Sequence, residues 1–173
     1  MIKRLILPGH TIGAEMIHRS LKFVNELYPP RDQKNFLHVH PSSATAMLVD
    51  DDGDIAINRE HVLNWKKAHG KSWTQVMRKG CVVFLPVCYP RQDHWIAIVM
   101  WWRVDNEFSV RVYNSLSAYR GTDEAVALAA AQACETMDQV NYSWEYDACV
   151  DTLEQKGDEL RCNLRCNLCV TCV

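Results

Sequence analysis

The fold is decided by the stretch QDHWIAIVMWW, residues 92–102, in which a polar corner leads into a continuous apolar run. The run has the length and character of a strand that is covered on both faces of a sheet. His94 stands at the junction, so the strand behind it would hold the imidazole rigidly, as a catalytic base requires. Such a base is useful only if other parts of the chain supply a nucleophile, an orienting partner and an oxyanion donor.

The composition is that of one globular domain, to which we assign residues 1–173. The chain has 48% hydrophobic and 23% charged residues and a formal net charge of −2. Single cores commonly extend over roughly 100 to 200 residues. The charge lacks the basic excess of a nucleic-acid-binding protein, and no apolar run approaches the roughly 18 residues of a membrane span. We expect an intracellular protein with no nucleic-acid or membrane partner.

The eight cysteines are expected to be reduced thiols. The chain is long enough to fold without disulfides, and no secretory signal accompanies the cysteines. Half of them stand in the last twelve residues, where the pattern is helical: Cys162, Cys166, Cys169 and Cys172.

Two further stretches have the length of strands. Cys81–Val87 is continuously apolar, and Phe108–Tyr113 alternates between apolar and polar residues. The polar segment Arg103–Glu107 is typical of a hairpin turn, so the strands on either side of it should be antiparallel neighbours. His94 and the segment that begins at Asn114 should then lie close together at one end of the sheet.

Apolar periodicity and capping residues predict four helices before the C-terminal one. They cover Thr11–Tyr28, Asn58–His69, Ser72–Gly80 and Thr122–Met137. Ser72 and Gln75 have the spacing of a capping box, and Thr122 is expected to cap the last of these helices.

Two shorter strands complete the prediction. One lies within Asn141–Thr152, and the other carries His38 and His40 on one face, where we expect surface histidines rather than a metal site. The order of elements predicts an α+β fold with a central, mostly antiparallel sheet flanked by helices.

Four residues could together perform thiol-dependent acyl transfer. Cys162 stands where the C-terminal helix begins, and exposed N–H groups and the helix dipole lower the pKa of a thiol there. His94 would deprotonate this thiol, and Asn114 would hold the second ring nitrogen of His94. Gln155, in the polar loop before the helix, could donate its amide to the oxyanion.

In this order of residues the sequence resembles the ubiquitin-like-protein proteases, the SUMO and NEDD8 isopeptidases related to adenovirus protease. The resemblance extends over most of the chain. The motifs that carry it are Asp93-His94-Trp95, Tyr113-Asn114-Ser115-Leu116, and Gln155 a short distance before a cysteine helix.

The resemblance implies a papain-like or adenain-like fold with the nucleophile at a helix N-terminus. It also implies a cysteine-type isopeptidase with a Cys-His-Asn triad and no cofactor or bound metal, which cleaves after the C-terminal Gly-Gly of a ubiquitin-like modifier. SUMO is the first expectation for that modifier, and NEDD8 or a similar protein the next. Trp95 would form one wall of the slot for the Gly-Gly tail. A monomer in the nucleus or cytoplasm is expected.

Two of the catalytic motifs in the sequence depart from those of the family. Asn114 stands where the family usually has Asp, and it can orient a histidine but contributes no charge to an imidazolium. Arg161-Cys162-Asn163 replaces the usual Asp-Cys-Gly, so the close approach that Gly permits is lost. These departures keep open a catalytically impaired relative that still binds a ubiquitin-like tail.

Two questions about the cysteines stay open. Cys166 is the alternative nucleophile, because Arg165-Cys166-Asn167-Leu168 nearly duplicates the sequence around Cys162. Cys162 is preferred because the stabilisation of a thiolate fades within about one turn of the helix start. A different class of protein, one that binds a metal or an iron–sulfur cluster through Cys162, Cys166 and Cys169, is the other alternative.

Overall fold

The predicted hairpin forms the centre of a five-stranded sheet in the computed structural model, which describes residues 13–27, 36–89, 94–103, 107–114 and 122–148. The elements in chain order are α1 (Ala14–Leu27), β1 (Phe36–His38), α2 (Pro41–Leu48), α3 (Arg59–His69), α4 (Trp73–Met77), β2 (Val82–Tyr89), β3 (His94–Trp102), β4 (Glu107–Tyr113), α5 (Asp123–Asp138) and β5 (Ser143–Tyr146).

The sheet follows the order of the chain, β1-β2-β3-β4-β5. β3 is antiparallel to both β2 and β4, and the two edge strands β1 and β5 join in parallel. The backbone N–H of Arg103 donates to the carbonyl of Glu107 at 2.7 Å and closes the hairpin between β3 and β4. The α+β prediction is therefore confirmed, with an antiparallel centre and helices against the sheet.

The two central strands differ in how deeply they are buried. Residues 83–87 of β2 are all buried, as the continuous apolar run predicts. In β3 the side chains alternate between buried and half-buried from His94 to Met100, so only one face of this strand is fully enclosed. The enclosed face carries His94, Ile96, Ile98 and Met100. The expected coverage of both faces is therefore complete on one face of β3 and partial on the other.

Capping residues set both limits of α3 and the start of α4 as predicted, whereas α4 ends at Met77, before the predicted Gly80. The side chain of Asn58 accepts a hydrogen bond from the backbone N–H of His61, and Gly70 ends α3 in the left-handed conformation with φ 66°. Ser72 and Gln75 form both hydrogen bonds of the capping box at the start of α4.

The start of α5 differs from the prediction. Thr122 occupies the N-cap position but has helical backbone angles, φ −90° and ψ −13°, and its side chain makes no capping hydrogen bond to the helix. The first turn instead carries two carboxylates, Asp123 and Glu124, which the exposed N–H groups of a helix N-terminus stabilise. Small residues on the buried face of this helix allow it to approach the core closely: Ala127, Ala130, Ala131 and Ala133.

The helix α2 was not predicted, and it changes the interpretation of two histidines. His40 is the N-cap of α2, where its Nδ1 accepts a hydrogen bond from the backbone N–H of Ser42 at 3.3 Å. His38 ends β1, and its partly buried ring stacks against His18 of α1 with centroids 5.4 Å apart. The prediction of two surface histidines on one strand face is therefore wrong.

The predicted C-terminal helix and the loop that carries Gln155 lie outside the described residues. Within the part of the chain that the structure describes, no helix has both the length and the apolar character needed to cross a membrane.

We predict that His38 makes the protein less stable in mild acid. Burial, reinforced by the nearby His18 and His40, lowers the pKa of His38 from 6.5 to about 4. The unfolded chain therefore takes up this proton at higher pH than the folded chain, and stability falls as the pH decreases between these values. Because the ring is partly exposed and solvent screens the effect, we expect a loss of about 1 kcal/mol between pH 7.5 and 5. Urea unfolding at a series of pH values measures it.

The pH dependence should be reduced in His38→Gln and retained in His61→Gln, which changes an exposed imidazole on α3. Equal slopes in the wild type and His38→Gln would contradict the assignment of this pH dependence to His38.

Candidate active site

His94 and Asn114 meet at the end of the sheet where β3 begins and β4 has just ended. The register pairs Ala97 with Tyr113, so Asn114 lies opposite Ile96. Ile96 is two positions after His94 on β3, so Asn114 and His94 are on the same face of the sheet. The two side chains are joined by a hydrogen bond of 2.9 Å between His94 Nε2 and Asn114 Oδ1. Both residues are buried, at 6% and 3% exposure.

A third residue continues this hydrogen-bond chain. Asn114 Nδ2 donates to Oδ1 of Asp123, the first residue of α5, at 2.8 Å. Asp123 is 7% exposed and lies in the first turn of the helix, where a carboxylate is favourably placed. The end of β4 and the start of α5 therefore support the imidazole together.

Burial controls the protonation of His94. Loss of solvation lowers the pKa of His94, and the hydrogen bond with Asn114 partly opposes this change. The ring is thus neutral at neutral pH. Because a neutral imidazole can accept a proton, His94 has the protonation state that a general base needs.

Trp95 lies on the opposite face of β3 from His94, since successive side chains of a strand alternate. Its side chain contributes to a groove of about 520 Å³, formed by the start of α1, by α2 and by the ends of β2 and β3. Cys88, which pairs with Trp95 across the two strands, lines the same groove. A ligand that contacts both Trp95 and His94 must therefore pass over the end of β3.

The cysteines predicted as nucleophiles lie outside the described residues. The predicted oxyanion donor, Gln155, also lies outside them. Three other cysteines are described, and all three carry reduced thiols. Among them Cys134 is fully buried, and burial raises the pKa of its thiol, so it is unsuited to attack a substrate.

Three histidine rings lie close together near the contact between α1 and α2. His18 lies between His38 and His40, with its ring centroid 4.6 Å from that of His40. In the described segments, no group of three or more His, Cys, Asp or Glu side chains has the geometry to hold a metal ion.

Sequence reasoning missed Asp123. It follows Thr122 at the start of a predicted helix, and acidic residues are common in the first turn of helices for reasons of charge alone. Its contact with Asn114 joins residues nine positions apart across segment 115–121. The sequence feature that could have revealed Asp123 is the small number of residues between the end of β4 and the start of α5. A connection this short keeps the first turn of the helix near Asn114.

Comparison with known proteins gives similarities to solved structures only. No protein-family model and no curated protein matches the sequence. Among solved structures, the chain is similar to the Xanthomonas campestris effector protein XopD, whose structure was determined bound to ubiquitin. The identity is 13%, the TM-score is 0.47, and the match covers 86% of this chain and 71% of that chain.

We predict that Asn114→Leu lowers the pKa of His94 further. The substitution keeps the bulk of the side chain but removes the hydrogen-bond acceptor that opposes the effect of burial. Titration of the histidine ring signals by NMR measures the change, with His69, which stacks on Trp65 in α3, as the internal reference. A higher pKa of His94 in the variant would mean that Asn114 does not stabilise the protonated ring.

Proposed function

We propose that this protein is a cysteine-type peptidase or isopeptidase that acts at the C-terminal tail of a ubiquitin-like protein. The observation that carries the proposal is the buried hydrogen bond between His94 and Asn114 at the end of the sheet. This bond gives the imidazole a fixed orientation, which a base that activates a thiol requires. The sequence motifs around His94, Asn114 and Gln155 support the assignment to this class.

In the proposed reaction, the Nδ1 atom of His94 takes the thiol proton of Cys162. The thiolate attacks the carbonyl carbon of the last glycine of the tail, and Gln155 donates its amide to the oxyanion. The bond from this carbon to the leaving amine then breaks, and the amine leaves with the proton from His94. Water hydrolyses the resulting thioester and regenerates the thiol. In this scheme Asn114 accepts a hydrogen bond from His94 Nε2 throughout.

The groove beside Trp95 is the proposed site for the substrate tail. A Gly-Gly segment has no side chains and fits a narrow space beside a flat aromatic ring. SUMO is the proposed modifier, and NEDD8 and ubiquitin are tested alongside it.

We predict that a ubiquitin-like protein with a C-terminal electrophile forms one covalent adduct with the wild-type chain. Cys162→Ala should abolish the adduct because it removes the nucleophile, and His94→Ala should slow its formation by about 100-fold or more because the general base is lost. Intact mass spectrometry with SUMO, NEDD8 and ubiquitin probes measures both effects and identifies the modifier.

Two cysteine variants serve as controls for this experiment. Cys88→Ala removes a thiol in the groove beside Trp95, and Cys166→Ala removes the alternative nucleophile. Both should still form the adduct. An adduct that persists in Cys162→Ala and disappears in Cys166→Ala would assign the nucleophile to Cys166.

The probes also separate the other functions that the sequence leaves open. Binding of the unmodified ubiquitin-like protein without any adduct would indicate a catalytically impaired relative. Bound zinc or a visible iron–sulfur absorption band, again without an adduct, would favour the metal-binding alternative.

We predict that Trp95→Ala weakens binding of the tail. Truncation of an aromatic side chain that contacts a ligand typically costs about 1 to 2 kcal/mol, so KM should rise roughly tenfold while kcat changes less. Trp101→Ala is the matched control, because Trp101 lies on the same face of β3 but packs under the guanidinium of Arg111 at 5.3 Å. Equal effects of the two substitutions would exclude a specific contribution of Trp95.

A further inference from the structure

We infer that Asp123 is a positioning residue that fixes the amide of Asn114 and, through it, the protonated nitrogen of His94. The role of His94 as a base, which this inference uses, rests on the proposed function. The geometry is given by two hydrogen bonds: Asn114 Nδ2 donates to Asp123 Oδ1 at 2.8 Å, and Asn114 Oδ1 lies 2.9 Å from His94 Nε2.

The direction of these hydrogen bonds follows from the chemistry of the groups. An ionised carboxylate has only acceptor atoms, so the amide of Asn114 must present its NH₂ group to Asp123. The carbonyl oxygen of the same amide then has to face His94. An amide has a donor end and an acceptor end of nearly equal shape, and Asp123 selects which of them the histidine meets.

The selection determines the tautomer of His94. Since Asn114 Oδ1 only accepts, the Nε2 atom of His94 must carry the proton. In the neutral ring the lone pair is then on Nδ1, and this is the nitrogen available to take a proton. Asp123 thus determines the tautomer of His94 through the two hydrogen bonds of Asn114, without touching the ring.

The same arrangement accounts for Asn rather than Asp at position 114. A carboxylate at 114 would lie at hydrogen-bond distance from that of Asp123, and two adjacent buried carboxylates share a proton instead of both ionising. With an amide at position 114, His94 Nε2 donates to the amide oxygen and the amide NH₂ group donates to the carboxylate of Asp123. The negative charge is located at the helix N-terminus rather than at the imidazole.

Exchange of the two side chains tests this inference. Asn114→Asp combined with Asp123→Asn would keep one carboxylate and one amide, with the carboxylate now beside His94. We expect the double variant to retain a single tautomer with the proton on Nε2 and to raise the pKa of His94 by about 1 to 2, because a charge now contacts the ring. Asp123→Asn alone should give a mixture of tautomers, because an amide at position 123 can present either its NH₂ group or its oxygen to the amide of Asn114.

Nitrogen-15 NMR of the histidine rings, in the resting protein at a series of pH values, measures the tautomer and the pKa together. Glu124→Gln is the matched control, since it removes a charge from the same helix turn at an exposed position. If Asp123 matters only for helix stability, Glu124→Gln and Asp123→Asn should lower the unfolding temperature alike and leave the His94 signals unchanged. That result would overturn the inference.

The rate of adduct formation provides a second measurement. Asp123→Asn should slow capture of the electrophilic probe by about tenfold or more, and the double variant should recover most of this loss. A slow double variant with a mixed tautomer would also overturn the inference. If no variant and no wild-type protein forms an adduct, the proposed peptidase function fails, while the NMR result still decides the role of Asp123.

Discussion

The hydrogen bond between His94 and Asn114 depends on the register of one hairpin. β3 and β4 pair Ile98 with Val112, and this register carries the two polar residues onto the same face at the same end. A shift of one residue would turn Asn114 to the other face of the sheet and expose the apolar side chains that now line the core. The hydrophobic burial that stabilises the sheet therefore also determines the geometry of the candidate site.

The helix α5 completes the site because both of its ends are held. At its C-terminus, Asp138 accepts hydrogen bonds from the hydroxyl groups of Thr74 and Tyr142. These bonds connect α5 to α4 and to the residue before β5. Between the ends, alanine side chains let the helix lie close to the sheet, as dense packing requires. The position of Asp123 beside Asn114 is therefore a consequence of how the whole helix packs.

Local patterns in the sequence predicted those parts of the structure that local interactions determine. The helices α1, α3, α4 and α5 and the central hairpin follow from periodicity, capping residues and turn composition. The missed features depend on contacts between distant segments. Parallel pairing of β1 with β2 joins residues 46 positions apart, as Phe36 and Val82 show, and α2 begins at a histidine cap that ordinary capping preferences do not include. At the site, the hairpin was enough to predict that His94 and Asn114 lie close together. The contact of Asp123 with Asn114 could not be predicted without knowing where α5 packs.

The separation of the charge from the imidazole has a direct effect on the base. A carboxylate in contact with His94 would raise the pKa of the ring and keep it protonated in more of the neutral range. Asn114 provides orientation without that charge, and burial then lowers the pKa of His94, so the ring is neutral. The cost is weaker stabilisation of the imidazolium once the proton has been transferred. This arrangement favours a neutral base over a stabilised ion pair. That would suit the thiol at a helix N-terminus that the proposed mechanism invokes.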